Sequence, residues 1–176
     1  MNSENMKSCI FAENSGTTKE DINIPFKEFY QGGFRIVVSL AEELEEFGPT
    51  EVNILSDQFG VVHGEELVKN SDGTSDLEEN AVSRLLESAE SADVMVILLS
   101  SSIFDTIVVE NWEKIIKNAK QNSILCLGAS RSSLEKLDLE QLESKGCEII
   151  TYERVGVARI DNESRNELLD TIKNRM

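Results

Sequence analysis

A chain of 176 residues, 40% hydrophobic and 28% charged, is long enough to bury one core and reads as a single domain over 1–176. Its 33 acidic residues against 17 basic ones give a net charge of −16, which excludes a protein that coats nucleic-acid backbones, because that task needs a broad basic face. The longest apolar stretch, Val94 to Leu99, is too short to cross a bilayer, and the opening Met1-Asn2-Ser3-Glu4-Asn5 lacks a basic and an apolar leader segment, so the chain reads as soluble, cytoplasmic and without membrane contact.

In chain order, the first apolar run, Ser8 to Ala12, predicts a strand, and the loop Glu13-Asn14-Ser15-Gly16-Thr17-Thr18 follows it. Phe34, Val37, Val38, Ala41 and Leu44 then recur at helical spacing, and Gly48-Pro49 marks the stop. A second strand is expected over Val52 to Leu55, leading into Ser56-Asp57-Gln58-Phe59-Gly60-Val61-Val62-His63-Gly64. The polar, turn-rich stretch 62–75 reads as a surface loop and a candidate mobile flap. Ser75 with Glu78 has the spacing of a capping box ahead of a helix carrying Leu77, Ala81, Leu85, Leu86 and Ala89.

The third strand, Val94 to Leu99, ends in Ser100-Ser101-Ser102, and a helix follows through Trp112, Ile115, Ile116 and Ala119. A fourth strand, Ser123 to Leu127, runs into Gly128-Ala129-Ser130-Arg131-Ser132-Ser133, where Ser132 and Glu135 suggest a second capping box. Leu139 and Leu142 mark a short helix that Lys145-Gly146 closes. The fifth strand, Cys147 to Tyr152, continues into Glu153-Arg154-Val155, with Val155 to Ile160 either a sixth strand or extended loop, and Leu168, Leu169 and Ile172 form the last helix.

The five strand runs are mostly apolar on both parities, the mark of strands buried on two faces. Alternating with helices, they predict a single-domain, doubly wound, mainly parallel α/β sheet of about five strands with helices on both faces. Cys9, Cys126 and Cys147 each lie inside an apolar run at unrelated spacings, which predicts buried thiols and neither a disulfide framework nor a metal site.

In such a sheet ligands bind beyond the carboxyl ends of the strands, so the loops there carry the functional reading. Small hydroxyl residues at helix starts leave backbone amides for an anion. Ser15 and Gly16, Ser100, and Ser130 are therefore candidate ligand-binding positions, with Arg131 and Arg154 as partners for a phosphate or carboxylate. The bland readings are a helix cap for Ser130 and a surface ion pair for Arg131. No Gly-x-Gly-x-x-Gly follows the first strand and no P-loop or Gly-x-Ser-x-Gly elbow occurs, which disfavours classical dinucleotide binding, P-loop hydrolysis and a serine-hydrolase elbow. His63, the one histidine, stands near Asp57, Glu65 and Glu66, whose carboxylates would raise its pKa, and Asp57 and His63 are the candidate catalytic pair.

The block Phe29-Tyr30-Gln31-Gly32-Gly33-Phe34-Arg35, followed by Ile54-Leu55-Ser56-Asp57-Gln58-Phe59-Gly60-Val61-Val62, resembles a pattern in a group of uncharacterised α/β proteins related to the central domain of archaeosine synthase, a tRNA 7-deazaguanine modification enzyme. The resemblance covers the first third of the chain. It implies roles for Tyr30, Gly32, Phe34, Ser56 and Gly60, with Tyr30, Ser56 and Gly60 as ligand-binding positions, whereas the local reading makes Gly60 a turn residue and the aromatics core. Where those relatives end the first strand in Cys-Ser or Cys-Gly, this chain has Cys9 followed by Ile10.

These readings converge on a protein that binds a small anionic ligand, a nucleotide or modified nucleoside, at the carboxyl edge of the sheet, with glycosidic-bond or base-exchange chemistry as the reaction the resemblance implies. Nothing in the sequence names a cofactor. The edge is expected to be neutral to slightly positive, because 121–134 has Arg131 as its one charge and 145–160 carries three basic residues against two acidic. The alternative is a non-enzymatic acidic module that docks on a basic protein surface. The acidic excess also fits a salt-adapted archaeal cytosol.

Overall fold

The computed structural model describes residues 5–71, 73, 76–154 and 160–175. β1 (Ser8–Glu13) is followed by a short helix α1 (Phe26–Phe29) and the amphipathic α2 (Phe34–Glu45). Then come β2 (Thr50–Ser56), β3 (Gly60–His63), a 3-10 turn (Val68–Asn70) and α3 (Leu77–Ser91). β4 (Val94–Leu98) leads to α4 (Ser101–Phe104), a π-helical turn (Asp105–Val109) and α5 (Trp112–Asn118). β5 (Ile124–Ala129), α6 (Arg131–Glu135), α7 (Glu140–Ser144), β6 (Glu148–Glu153) and α8 (Asn162–Asn174) complete the order.

The strands form one sheet in the order β3-β2-β1-β4-β5-β6, parallel except for β3, which pairs antiparallel with β2. The five parallel strands taken alone run 2-1-3-4-5, the doubly wound, flavodoxin-like order. The register is flush: Ser8 stands opposite both Thr50 and Val94, and Ile124 opposite Val94 and Glu148. The carboxyl ends therefore line up as one edge.

The central strands present side chains to two cores. On one face Ile10, Ala12, Ile54, Val96, Leu98 and Cys126 meet α1, α2 and α8, and on the other Cys9, Phe11, Leu55, Ile97 and Leu127 meet α3, α5 and α7. Each fully buried Leu, Ile or Phe contributes about 1.5–3 kcal/mol. The three cysteines are free and buried, and burial pushes the Cys9 thiol up to about 11 and the Cys126 thiol up to about 12.

The doubly wound class and the five expected strand runs match these elements, and three local expectations change. The stretch expected as loop from Val62 opens as the end of β3, which makes a sixth strand, and its continuation through Asn70 is tied down by Val68 N–H to Ile24 O (3.1 Å) and Lys69 N–H to Ile22 O (2.9 Å). α3 is capped by Asp76, whose carboxylate accepts from Glu79 N–H at 3.1 Å, one residue beyond the expected Ser75, which lies outside the described residues. α6 is capped by Ser130 and not Ser132. The segment 155–159, left open between strand and loop, is outside the described residues as well.

Candidate functional site

The order of the sheet reverses between β1 and β4, and that crevice is where doubly wound folds open a ligand site. Beside it, over the carboxyl ends of β1 and β2, lies a cavity of about 300 Å³ lined by Glu13, Asn14, Gly16, Leu55, Asp57, Leu77 and Ile103. Flush strand ends bring Glu13 and Leu55 side by side in register, and the head of α3 and α4 supply the apolar wall. The polar rim is built by Asn14. Its Oδ1 accepts from Asp57 N–H at 3.0 Å, its Nδ2 donates to Ser15 O at 3.1 Å, and its backbone N–H donates to Leu55 O at 3.3 Å. One side chain thus holds two carboxyl-edge loops together over a Leu55 floor.

Glu13 decides the electrostatics. Its carboxylate accepts from both the backbone N–H and, at 3.0 Å, the hydroxyl of Ser100, the residue that opens α4. A charged acceptor on the free amide of a helix start is a strong interaction, and it is the one that an incoming phosphate would have to displace. A similar arrangement recurs at the next loop. Ser133 Oγ donates to Asp105 Oδ1 at 2.6 Å, and Lys136 Nζ reaches Asp105 Oδ2 at 3.3 Å. The Ser133 hydroxyl and, after it, Lys136 hold the Asp105 carboxyl below its usual range. The edge expected to be neutral or slightly positive is therefore acidic where it is concave, with Glu13 and Asp57 in the cavity wall.

Of the residues singled out from the sequence, Gly16 and Asp57 line the cavity, and Ser100 stands behind it on Glu13. Ser15 turns its hydroxyl onto Thr17 O at 3.0 Å. Tyr30, Ser56 and Gly60 converge as interior structure and not as a ligand surface. The Tyr30 hydroxyl and Ser56 Oγ share a 2.7 Å hydrogen bond, Ser56 Oγ also accepts from Phe59 N–H at 3.1 Å, and their residues are 2% and 0% exposed. Gly60 makes the β2–β3 turn at φ 77°. Phe34, the other aromatic of the resemblance, packs edge-on to Tyr30 with ring centroids 5.8 Å apart.

The two arginines do not join the cavity. Arg131 has a side chain 78% exposed and pairs with Glu135 at 3.2 Å across one helical turn, while Ser130 accepts from Ser133 N–H at 3.3 Å as a cap. Both follow β5, and Arg154 follows β6, so by strand spacing they lie about 10–14 Å across the sheet from β1. The loop read from Gly128 begins later, since Gly128 and Ala129 are the buried last residues of β5.

His63 is placed apart from Asp57. It pairs with Asn53 in β2, four residues before Asp57, which separates the two by about 13 Å along the strand. Its expected rise in pKa is reversed: burial, and then the charge of Arg84, lower it, outweighing Glu51 and Glu66. Sequence reasoning passed over Glu13 and Asn14 as site residues. The signal was a carboxylate directly after the apolar Ile10-Phe11-Ala12, where a strand end delivers it to the edge.

The cavity does not fit a phosphate-bearing flavin of the kind that folds with this strand order hold beside their switch point. The Ser100 amide is taken by Glu13, and among the described residues no aromatic ring lines the cavity. No helix among the described residues is long and apolar enough to cross a membrane. No family model matches the chain, and no curated protein matches it. Among solved structures the chain is similar to a flavodoxin-like domain from Synechococcus sp, at 12% identity and a TM-score of 0.40, with 94% of each chain covered.

Proposed function

We propose that the protein binds a small polar ligand of the nucleoside class, uncharged or cationic, in the cavity over the carboxyl ends of β1 and β2. The observation that carries this reading is the pairing of Glu13 with the Ser100 amide beside a concave wall of Asn14, Gly16 and Asp57 over Leu55, Leu77 and Ile103. An apolar floor with a few fixed polar groups is the usual composition of a ligand pocket, and about 300 Å³ is the lower end of the range for one. The carboxylates favour hydroxyl and amine donors and disfavour phosphate, so of the two ligands expected from the sequence the nucleoside is preferred over the nucleotide. For glycosidic-bond or base-exchange chemistry, Asp57 is the acid or base within reach of the ligand, and His63 has no part in it.

Thermal denaturation with nucleosides and their monophosphates tests this. A nucleoside at a hundred times its Kd should raise the melting temperature by roughly 5–10 °C, and its monophosphate by less. Gly16→Leu should abolish the shift while leaving the ligand-free protein intact, because a Cβ at Gly16 meets no atom within 4 Å. A monophosphate that stabilises more than its nucleoside, or an unchanged shift in Gly16→Leu, would overturn the reading.

A second reading, docking on a basic protein, rests on a separate groove of about 250 Å³. Glu42 and Glu45, with Glu51 and the Lys27-paired Glu65, rim it above Val38, Ala41 and Val52, so Glu42 and Glu45 are the carboxylates placed to meet a Lys or Arg side chain of a partner.

A further inference from the structure

At the opposite end of the sheet from the cavity over Leu55, Lys7 precedes β1, Glu51 is the second residue of β2 and His63 ends β3, and α3 crosses beside them. Arg84, Glu87, Ser88 and Ser91 of α3 recur at i, i+3, i+4 and i+7 on one helix face. Together they line a cavity of about 280 Å³. Three of its groups are basic. Lys7 Nζ is held by Ser91 Oγ at 3.3 Å and lies 3.8 Å from Glu51, and Glu51 also accepts a 3.7 Å contact from the Cys9 thiol.

Arg84 is different. Its Nη1 is buried without a hydrogen-bond partner, and among the described residues its guanidinium makes no ion pair with Glu51, Glu87 or any other carboxylate. Arg84 lines the cavity with no carboxylate among the described residues pairing its charge, so an anionic acceptor placed there would meet an uncompensated guanidinium. Burial, and after it the Arg84 charge, lowers the pKa of His63, while Glu51 and Glu66 oppose that shift, so Arg84 and His63 are close enough to share one ligand.

We propose that this cavity is a binding site for a small tetrahedral oxyanion, with Arg84 donating from the helix side, His63 from β3 and Lys7 from the mouth. The volume admits an inorganic phosphate or sulfate. A site of this kind is independent of the ligand proposed for the cavity over Leu55 and survives if that reading fails.

His63 is the one histidine of the chain, so its ring resonances need no assignment. Titration of the full chain with inorganic phosphate, and separately with sulfate, at fixed pH should move those resonances saturably. Phosphate should also raise the midpoint of the His63 titration, which without anion lies below 6.5, because a bound anion favours the imidazolium. Arg84→Gln should weaken phosphate binding at least tenfold with an unchanged circular dichroism spectrum, and Lys7→Gln, at a partly exposed position, should weaken it several-fold if Arg84→Gln does not fold. The proposal is overturned if chloride at matched ionic strength reproduces the shift, if the wild-type response is linear and unsaturated, or if a folded Arg84→Gln protein binds as the wild type does.

Discussion

The Tyr30 hydroxyl is a polar atom in an aromatic nest, stacked with Phe26 and edge-on to Phe29 and Phe34, and Ser56 is its partner there. Tyr30→Phe should cost about 1–2 kcal/mol in urea unfolding, since it removes a buried hydrogen bond without opening a cavity. A loss below a few tenths would show that water serves Ser56 equally well. At this scale the sequence was legible as a grouping and not as a role. Tyr30, Phe34, Ser56 and Gly60 were readable together through the resemblance, and they do meet, but as the packing that fixes the β2–β3 turn. Arg131 was readable as a charge without its direction. One helical turn to Glu135 satisfies it locally, and a pairing at i, i+4 competes with any ligand without appearing in a motif.

Strands buried on both faces write continuous apolar runs, and β1, β2, β4 and β5 were legible for that reason, while β6, at the sheet margin, showed through the alternation of buried Ile150 and Tyr152 with exposed Thr151 and Glu153. β3 was hidden because Val61 and Val62 are its two apolar interior residues and it lies at the sheet margin, where one edge and part of its side-chain surface face outward. The segment Ser101 to Val109 was hidden because a π-turn inserts an extra residue and shifts the helical period between Phe104 and Trp112. Between β5 and β6, Gly128 stands opposite Tyr152, and a Cβ there would come within 2.3 Å of the Tyr152 ring. The glycine that reads as part of an anion-binding loop is therefore the space into which a ring packs. Gly128→Ala should destabilise the protein by about 1–3 kcal/mol through overpacking. Combining it with Tyr152→Leu should cost less than the two single losses added, as read by melting temperature, and strict additivity would refute the steric account.

Across the whole molecule the carboxylates stand mainly on helix surfaces and loops: Glu42, Glu45 and Glu46 on and just after α2, Glu78, Glu79, Glu87 and Glu90 on α3, and Glu140 and Glu143 on α7 are all exposed. A net charge of −16 on 176 residues opposes the compact state by self-repulsion. Salt shortens the range of that repulsion, from about 30 Å at 0.01 M to about 3 Å at 1 M. The melting temperature should accordingly rise by several degrees between those salt concentrations, and a flat or falling trend would show that the acidic surface is balanced locally by the lysine and arginine pairs. The composition made this charge legible. The carboxylates held by serines, Glu13 on Ser100 and Asp105 on Ser133, were not, because whether a Glu or Asp faces open solvent or a neighbouring hydroxyl depends on the strand order, which no local pattern carries.

The strand order has a temporal consequence. β2 and β3 are joined by a turn of three residues, so their hairpin can close within about 1–10 μs of collapse. β1 and β4 are partners across 86 residues, Ser8 opposite Val94, and that closure carries a larger entropy cost before any contact rewards it. The cavity over Leu55 takes its walls from β1, β2, α3 and α4 and exists only once this distant pair has met. The cavity is thus a property of the finished sheet, absent from every partly assembled form in which the hairpin alone is made.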